Sequence, residues 1–350
     1  MMAKPVSVMY IAMNEAVAIV RQRNGEWAVD VQMRGTQPQC LAVDSQRPQQ
    51  VYCGTFDQGL WGSSNTGESW EHVGAGIEQP CVTSVAVSLT ERAGGYGVVY
   101  AGTDPSSLYR SEDGGSTWRE LSALRHLPSA PTWGLPDRPD TSRVRWITPD
   151  PLVAGRLFVA IEAGALLRSL DGGQTWEDRK PGGPYDTHTL VIHRLAPNRL
   201  YSAAGDGFLS PGHGFFESED GGQTWYRPDE GLAHHYLWSV VADPADPATL
   251  VITATHGPDQ AHNPQCAESV LYRRSGNSPW QRVQNGFPEP RGLLIAVLAT
   301  HEAEPGVFYA ANNKGVFRSA DAGSSWEALP IRWPQGLHIG RANALVVAPE

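Results

Sequence analysis

An octet ending in tryptophan recurs along the chain: "SEDGGSTW" at 111–118, "SLDGGQTW" at 169–176, "SEDGGQTW" at 218–225 and "SADAGSSW" at 319–326. A near copy, "SSNTGESW", occupies 63–70 with Asn65 in place of the aspartate, and eroded copies end at Trp280 and Trp27. Successive closing tryptophans lie 43, 48, 58, 49, 55 and 46 residues apart, and 51 positions separate Trp326 from Trp27 when the chain ends are joined. Seven near-equal steps of this size mark a repeated supersecondary unit.

Each repeat follows one order: an apolar run often ending in Asp-Pro, a second apolar run with small residues, and a third leading into the octet. That order predicts four short antiparallel strands, A to D, with the octet as the C–D turn. A four-stranded unit cannot bury both of its faces alone, so the units must stack radially as blades. The expected fold is all-β: a seven-bladed β-propeller of four-stranded antiparallel blades, occupying 1–350 as a single domain. Six blades are expected at 37–74, 81–121, 143–180, 186–228, 236–284 and 293–330. The seventh combines 342–350 with 5–34, so that the C-terminal strand closes the ring by pairing with the N-terminal blade. The 37 glycines, 27 prolines and 41% hydrophobic content suit many short strands joined by tight turns.

A formal net charge of −10, with 27 Lys+Arg and no basic run, argues against nucleic acid or an anionic membrane as partner. The N-terminal stretch is interrupted by Asn14 and Glu15, so neither a signal peptide nor a membrane span is expected. The four cysteines lack CxxC spacing, which argues against a zinc knuckle or disulfide framework. A Cys40–Cys53 bridge across neighbouring strands stays open. A cytoplasmic location is the expectation.

The Ser-x-Asp-x-Gly-x-Thr-Trp octets resemble the Asp-box, or BNR repeat, of the sialidase-like propeller superfamily, with copies or remnants along nearly the whole chain. The resemblance implies the fold much more than an activity, because the box occurs in sialidases, xyloglucanases, sortilin-type receptors and a photosystem II assembly factor. A sialidase is disfavoured: the Phe/Tyr-Arg-Ile-Pro motif is missing, and the repeats count to seven where sialidases have six blades. The octet aspartates, Asp113, Asp171, Asp220 and Asp321, read as scaffold. A motif repeated around a ring cannot converge on one substrate, whereas a carboxylate can accept hydrogen bonds from its own turn.

Strand parity places the B–C and D–A loops on the face opposite the octets, and the long connections 121–142, 205–214 and 255–269 all belong to it. Function concentrates in such loops. The Pro-rich 121–142 segment with Trp133 reads as a docking element or a lid. Aligning the A strands on Asp-Pro puts Gln39, Thr83, Arg145, His188, Trp238 and Asn343 at the strand entrances, with Arg143, Asp186, Tyr236 and Arg341 two residues further out. Leu41, Val85, Ile147, Leu190, Val240, Leu298 and Leu345 form an apolar ring beneath. This profile predicts a funnel with a packed throat and a ligand-facing mouth.

Within it, Arg145 and Arg341 are expected to hold an anionic group, and Tyr236 and Trp238 to offer stacking faces. Asp186, His256 and Asn343 are further substrate-binding candidates. Glu162, His188 and Asp206 are the catalytic candidates for proton transfer. His188, His235 and His256 are candidates to hold a divalent metal, as in seven-bladed pectate-type lyases. The expected ligand is a sugar-like or carboxylate-bearing small molecule or glycan, handled by hydrolase- or lyase-type chemistry. The alternative is a non-catalytic scaffold with a protein partner.

Overall fold

Seven antiparallel sheets are arranged in chain order around an axial channel. The computed structural model describes residues 7–135 and 138–349. From the axis outward, the first blade is Ala342–Ala348, Val8–Met13, Val17–Arg23 and Glu26–Gln32, so one sheet contains segments from both ends of the chain. The following blades have Pro38–Asp44, Cys81–Ala93, Val144–Pro149, Thr187–His193, Tyr236–Asp243 and Val297–Ala299 as their innermost strands.

The second strands of the blades carry long buried runs, and the stacking of blades explains why. Val8–Met13 and Leu157–Ile161 are buried at every position because each face meets a neighbouring blade. Side chains from adjacent blades therefore merge into shared clusters, such as Phe158, Leu166, Leu190 and Leu200 between the fourth and fifth. Such burial is worth about 25 cal/mol per Å² of apolar surface, and it binds the blades into a ring.

Two blades depart from the expected four strands. The fourth and fifth hold three strands each, with the outermost position reduced to the single bridges Arg168↔Glu177 and Glu217↔Tyr226. Pro181 and Pro228 follow within a few residues, and proline cannot donate to a ladder.

Each complete octet forms one repeated network of hydrogen bonds. In 218–225, Ser218 Oγ donates to Asp220 Oδ1 and accepts from the Gly222 amide, while the Thr224 amide and hydroxyl donate to Asp220 Oδ1 and Oδ2 at 2.9 and 2.6 Å. Gly221 and Gly222 have φ of +72° and +83°, which glycine adopts without strain. The closing tryptophan packs back on the preceding blade: Trp118 Nε1 donates to the Val73 carbonyl at 2.7 Å, and Trp280 Nε1 to the Pro228 carbonyl at 2.8 Å.

Two expectations need correction. Trp133 is neither a docking element nor a lid: it is buried among Leu121, Leu124 and Val144, with its indole N–H on Ser129 Oγ at 2.9 Å. Cys40 and Cys53 are free, because the register pairs Cys40 with Gly54 and Leu41 with Cys53, which sends the two thiols to opposite faces.

Candidate functional site

The B–C and D–A loops surround a cavity of about 1040 Å³ whose lining includes Glu162, Asp186, His188, Asp206, Tyr236 and His262. Gln39, Arg143, Trp238, Arg341 and Asn343 continue from it into a neck of about 60 Å³, which Thr83 and Arg145 complete. Below lies an axial channel of about 310 Å³, lined in part by Leu41, Val85, Ile147, Leu298 and Leu345.

The charges in this funnel are unevenly satisfied. Arg143 grips Glu162 with Nε and Nη2, the latter at 2.6 Å from Oε1. Burial opposes the ionisation of Glu162, but Arg143 outweighs it and holds the carboxyl below its ordinary range. Glu162 is thus tied and ionised, a poor proton donor.

Arg145 and Arg341 differ from Arg143. Among the described residues neither has a carboxylate within ion-pair distance, and the buried Nε of Arg145 has no hydrogen-bond partner. Both guanidiniums lie over the Trp238 ring, at 4.3 and 5.9 Å from its centroid. Burial lowers the pKa of each, and their mutual repulsion takes Arg341 down to about 10, still protonated at neutral pH. Two buried guanidiniums thus stand at the neck without a carboxylate in direct ion-pair contact, among the described residues.

The remaining wall is acidic and aromatic. His188 is 1% exposed, with Nδ1 2.6 Å from the Leu237 carbonyl and Nε2 3.5 Å from Asp186 Oδ2. Burial pushes Asp186 up, but His188, the Ala163 amide and Arg145 more than offset this and hold it low. Asp206 goes the other way: burial, reinforced by the Asp186 charge, pushes it up to about 6 despite the hydrogen bonds its carboxylate accepts from the Tyr185 and Asp186 amides. Its proton is therefore exchanged near neutral pH, as a general acid requires.

Not every residue named from the sequence points into the funnel. His256 is exposed and packs at a tilt against His234, ring centroids 4.3 Å apart, outside the lining. His235 also lies outside the lining, so His188, His235 and His256 do not converge. Trp238 is 7% exposed, with its ring packed by Arg145, Arg341, His188 and His262; it anchors guanidiniums and has little face left for a ligand. Tyr236 is enclosed in the same way by Phe208, His188 and His262. Asn343 donates to the Pro38 carbonyl at 2.8 Å.

Tyr185 and Phe208 are lining residues that the sequence reading did not single out. Phe208 and Tyr185 are 52% and 39% exposed and are the most open aromatic rings of the lining, although Arg179 lies over one face of Tyr185. Phe208 sits in the long 205–214 loop, and that length was the available signal. His262 reaches the funnel because Pro258–His262 folds as one helical turn, and burial with Arg341 nearby keeps its ring neutral, its pKa down to about 2.

No protein-family profile matches the chain. Among curated proteins it is 29% identical over 286 residues to xyloglucanase Xgh74A of Acetivibrio thermocellus, covering 75% of this chain and 29% of that protein. The chain thus spans less than a third of the length of the curated relatives it matches. Among solved structures, the GH74 enzyme of Niastella koreensis superposes with TM-score 0.65 at 15% identity, over 93% of this chain and 55% of that one. YCF48 bound to D1 peptide superposes with TM-score 0.54 at 15% identity, over 83% of this chain and 82% of that one. These likenesses establish the propeller fold.

Proposed function

We propose that the funnel binds a carboxylate-bearing, sugar-like molecule and that the protein acts on it by hydrolase- or lyase-type chemistry. The observation that carries this reading is the pair Arg145 and Arg341, stacked on Trp238 at the foot of a cavity of about 1040 Å³, with no carboxylate among the described residues in ion-pair contact with either. The ligand's anionic group enters the neck between the two guanidiniums. Its ring lies higher, against the exposed faces of Tyr185 and Phe208. Asp206 donates the proton and the ionised Asp186 is the base, two carboxyls driven apart in pKa by their surroundings. Similarity to a xyloglucanase supports a glycan as the ligand class.

Titration calorimetry with uronate-containing and neutral oligosaccharides tests the reading. Uronates should bind, and Arg145→Ala or Arg341→Ala should weaken them about 30-fold or more, since truncating one partner of a buried charge pair costs ~2 kcal/mol or more. Asp206→Asn should leave binding intact while abolishing product formation. Equal affinity of wild type and both arginine variants would overturn the anion site.

A second reading, a non-catalytic scaffold, draws on Leu209, 81% exposed beside Phe208 at the funnel rim, and on the likeness to YCF48 bound to D1 peptide. Binding of acidic peptides without turnover of any uronate would favour it.

A further inference from the structure

We propose that Glu162, Asp186 and His188 form a site for one first-row divalent cation of the Zn²⁺ or Mn²⁺ type on the funnel wall. One donor atom from each lies within 4.8 Å of the other two, and a closure of about 1 Å by the carboxylates would bring all three to metal–ligand bonds of about 2.0–2.2 Å.

The orientation of His188 is what points to a cation. The Leu237 carbonyl can only accept, so Nδ1 is the donor at 2.6 Å. Nε2 is then the ring atom that faces Asp186 Oδ2, at 3.5 Å, on a side chain 1% exposed. A cation seated between Nε2 and Oδ2 would be bound by both atoms. A donor hydrogen bond from the far ring nitrogen to a backbone carbonyl is also the support that metal-bound histidines use, because it fixes the tautomer and aims the ligand nitrogen.

The other two donors are braced similarly. Asp186 Oδ1 accepts from the Ala163 amide at 2.8 Å, leaving Oδ2 toward His188, and Arg143 orients Glu162. The two carboxylates supply negative charge for a dication, part of it already spent on Arg143, and three protein ligands leave coordination positions open toward the cavity. The set of two oxygens and one nitrogen suits zinc or manganese better than calcium, which takes six to eight oxygens. Arg143 competes for Glu162, so Asp186 and His188 carry most of the affinity. The site shares Asp186 with the proposed reaction, where a bound cation would make it a ligand and not the base, but its test is independent of the anion reading because metal uptake is measured without any organic ligand.

The test is equilibrium dialysis of the untagged, chelator-stripped protein against Zn²⁺ or Mn²⁺, with bound metal counted by mass spectrometry. About one equivalent is expected. Asp186→Asn and His188→Gln should each weaken uptake at least about tenfold, Glu162→Gln less, whereas His235→Gln and His256→Gln should bind as wild type does. Less than about a tenth of an equivalent in wild type, or undiminished uptake in folded Asp186→Asn and His188→Gln, overturns the proposal; the former result assigns a proton to the space between His188 and Asp186. If those variants misfold, the Co²⁺ absorption of wild type decides: visible d–d bands support the site, and their absence overturns it.

Discussion

Asp220 stands for all the octet aspartates. Slight burial pushes its carboxyl up, but hydrogen bonds from Thr224 and Ser218 prevail and bring it down to about 2. A depressed carboxyl contributes stability that is present above its ordinary pKa of 3.8 and lost as pH falls toward 2. Asp113, Asp171 and Asp321 shift the same way. Asn65 fills the equivalent place in 63–70, accepting from the Ser69 amide at 3.0 Å and donating to Ser69 Oγ at 2.9 Å. Asp220→Asn should therefore fold and melt a few degrees below wild type at pH 6, with the difference shrinking between about pH 4 and pH 2. Calorimetric scans across that range check it. Asp206 contrasts with this behaviour. Its raised pKa favours the folded state at low pH, and that advantage is lost as pH rises through about 6, so the site keeps a carboxyl the fold would prefer protonated.

At the scale of the blade, arginines beside the octets join neighbours. Arg168 Nη1 donates to the Gly221 carbonyl at 2.7 Å, and Arg273 Nε to the Ala322 carbonyl at 2.6 Å, each reaching the octet of the following blade. The tightest of these links involves Glu217 on Phe215–Ser218. It accepts from Arg199 at 2.7 Å and from Arg274 of the next blade at 2.5 Å, while the Arg274 guanidinium lies 5.0 Å from the ring centroids of both Phe215 and Trp280. Glu217 and Arg274 are buried, so removing one strands the other. Glu217→Ala should cost about 3–5 kcal/mol in urea unfolding. Adding Arg274→Met should recover much of that loss, because the uncompensated charge is then gone.

The whole molecule depends on the pairing of Ala342–Ala348 with Val8–Met13, which runs through Tyr10↔Val346 and Ile11↔Leu345. Leu345, Val347 and Ala348 are buried, and the strand also joins the apolar clusters on both sides of the first blade. Deleting 342–350 removes the inner strand and exposes Val8–Met13 along its length. Its melting temperature should fall by well over ten degrees, with a broadened transition; an unchanged midpoint would refute this dependence on the joined ends.

The blade number was legible because a closing tryptophan recurs at a period that one four-stranded unit requires. The layering of the funnel was legible because strand parity is strict: residues two apart on an inner strand share a face, which brought Gln39, Thr83, Arg145, Trp238 and Asn343 to one neck. Nothing in that parity distinguishes one arginine from another. Arg143 is neutralised because the loop bearing Glu162 folds back within reach, whereas Arg145, two residues on, faces an indole ring. Likewise His262 enters the funnel and His256 does not, because one helical turn rotates the former inward. Periodic, local chemistry thus set the ring and its faces from the sequence alone. Only the tertiary structure decided which charges are spent on one another and which are left without an ion-pair partner, because such pairing depends on distances of a few ångströms between separate loops.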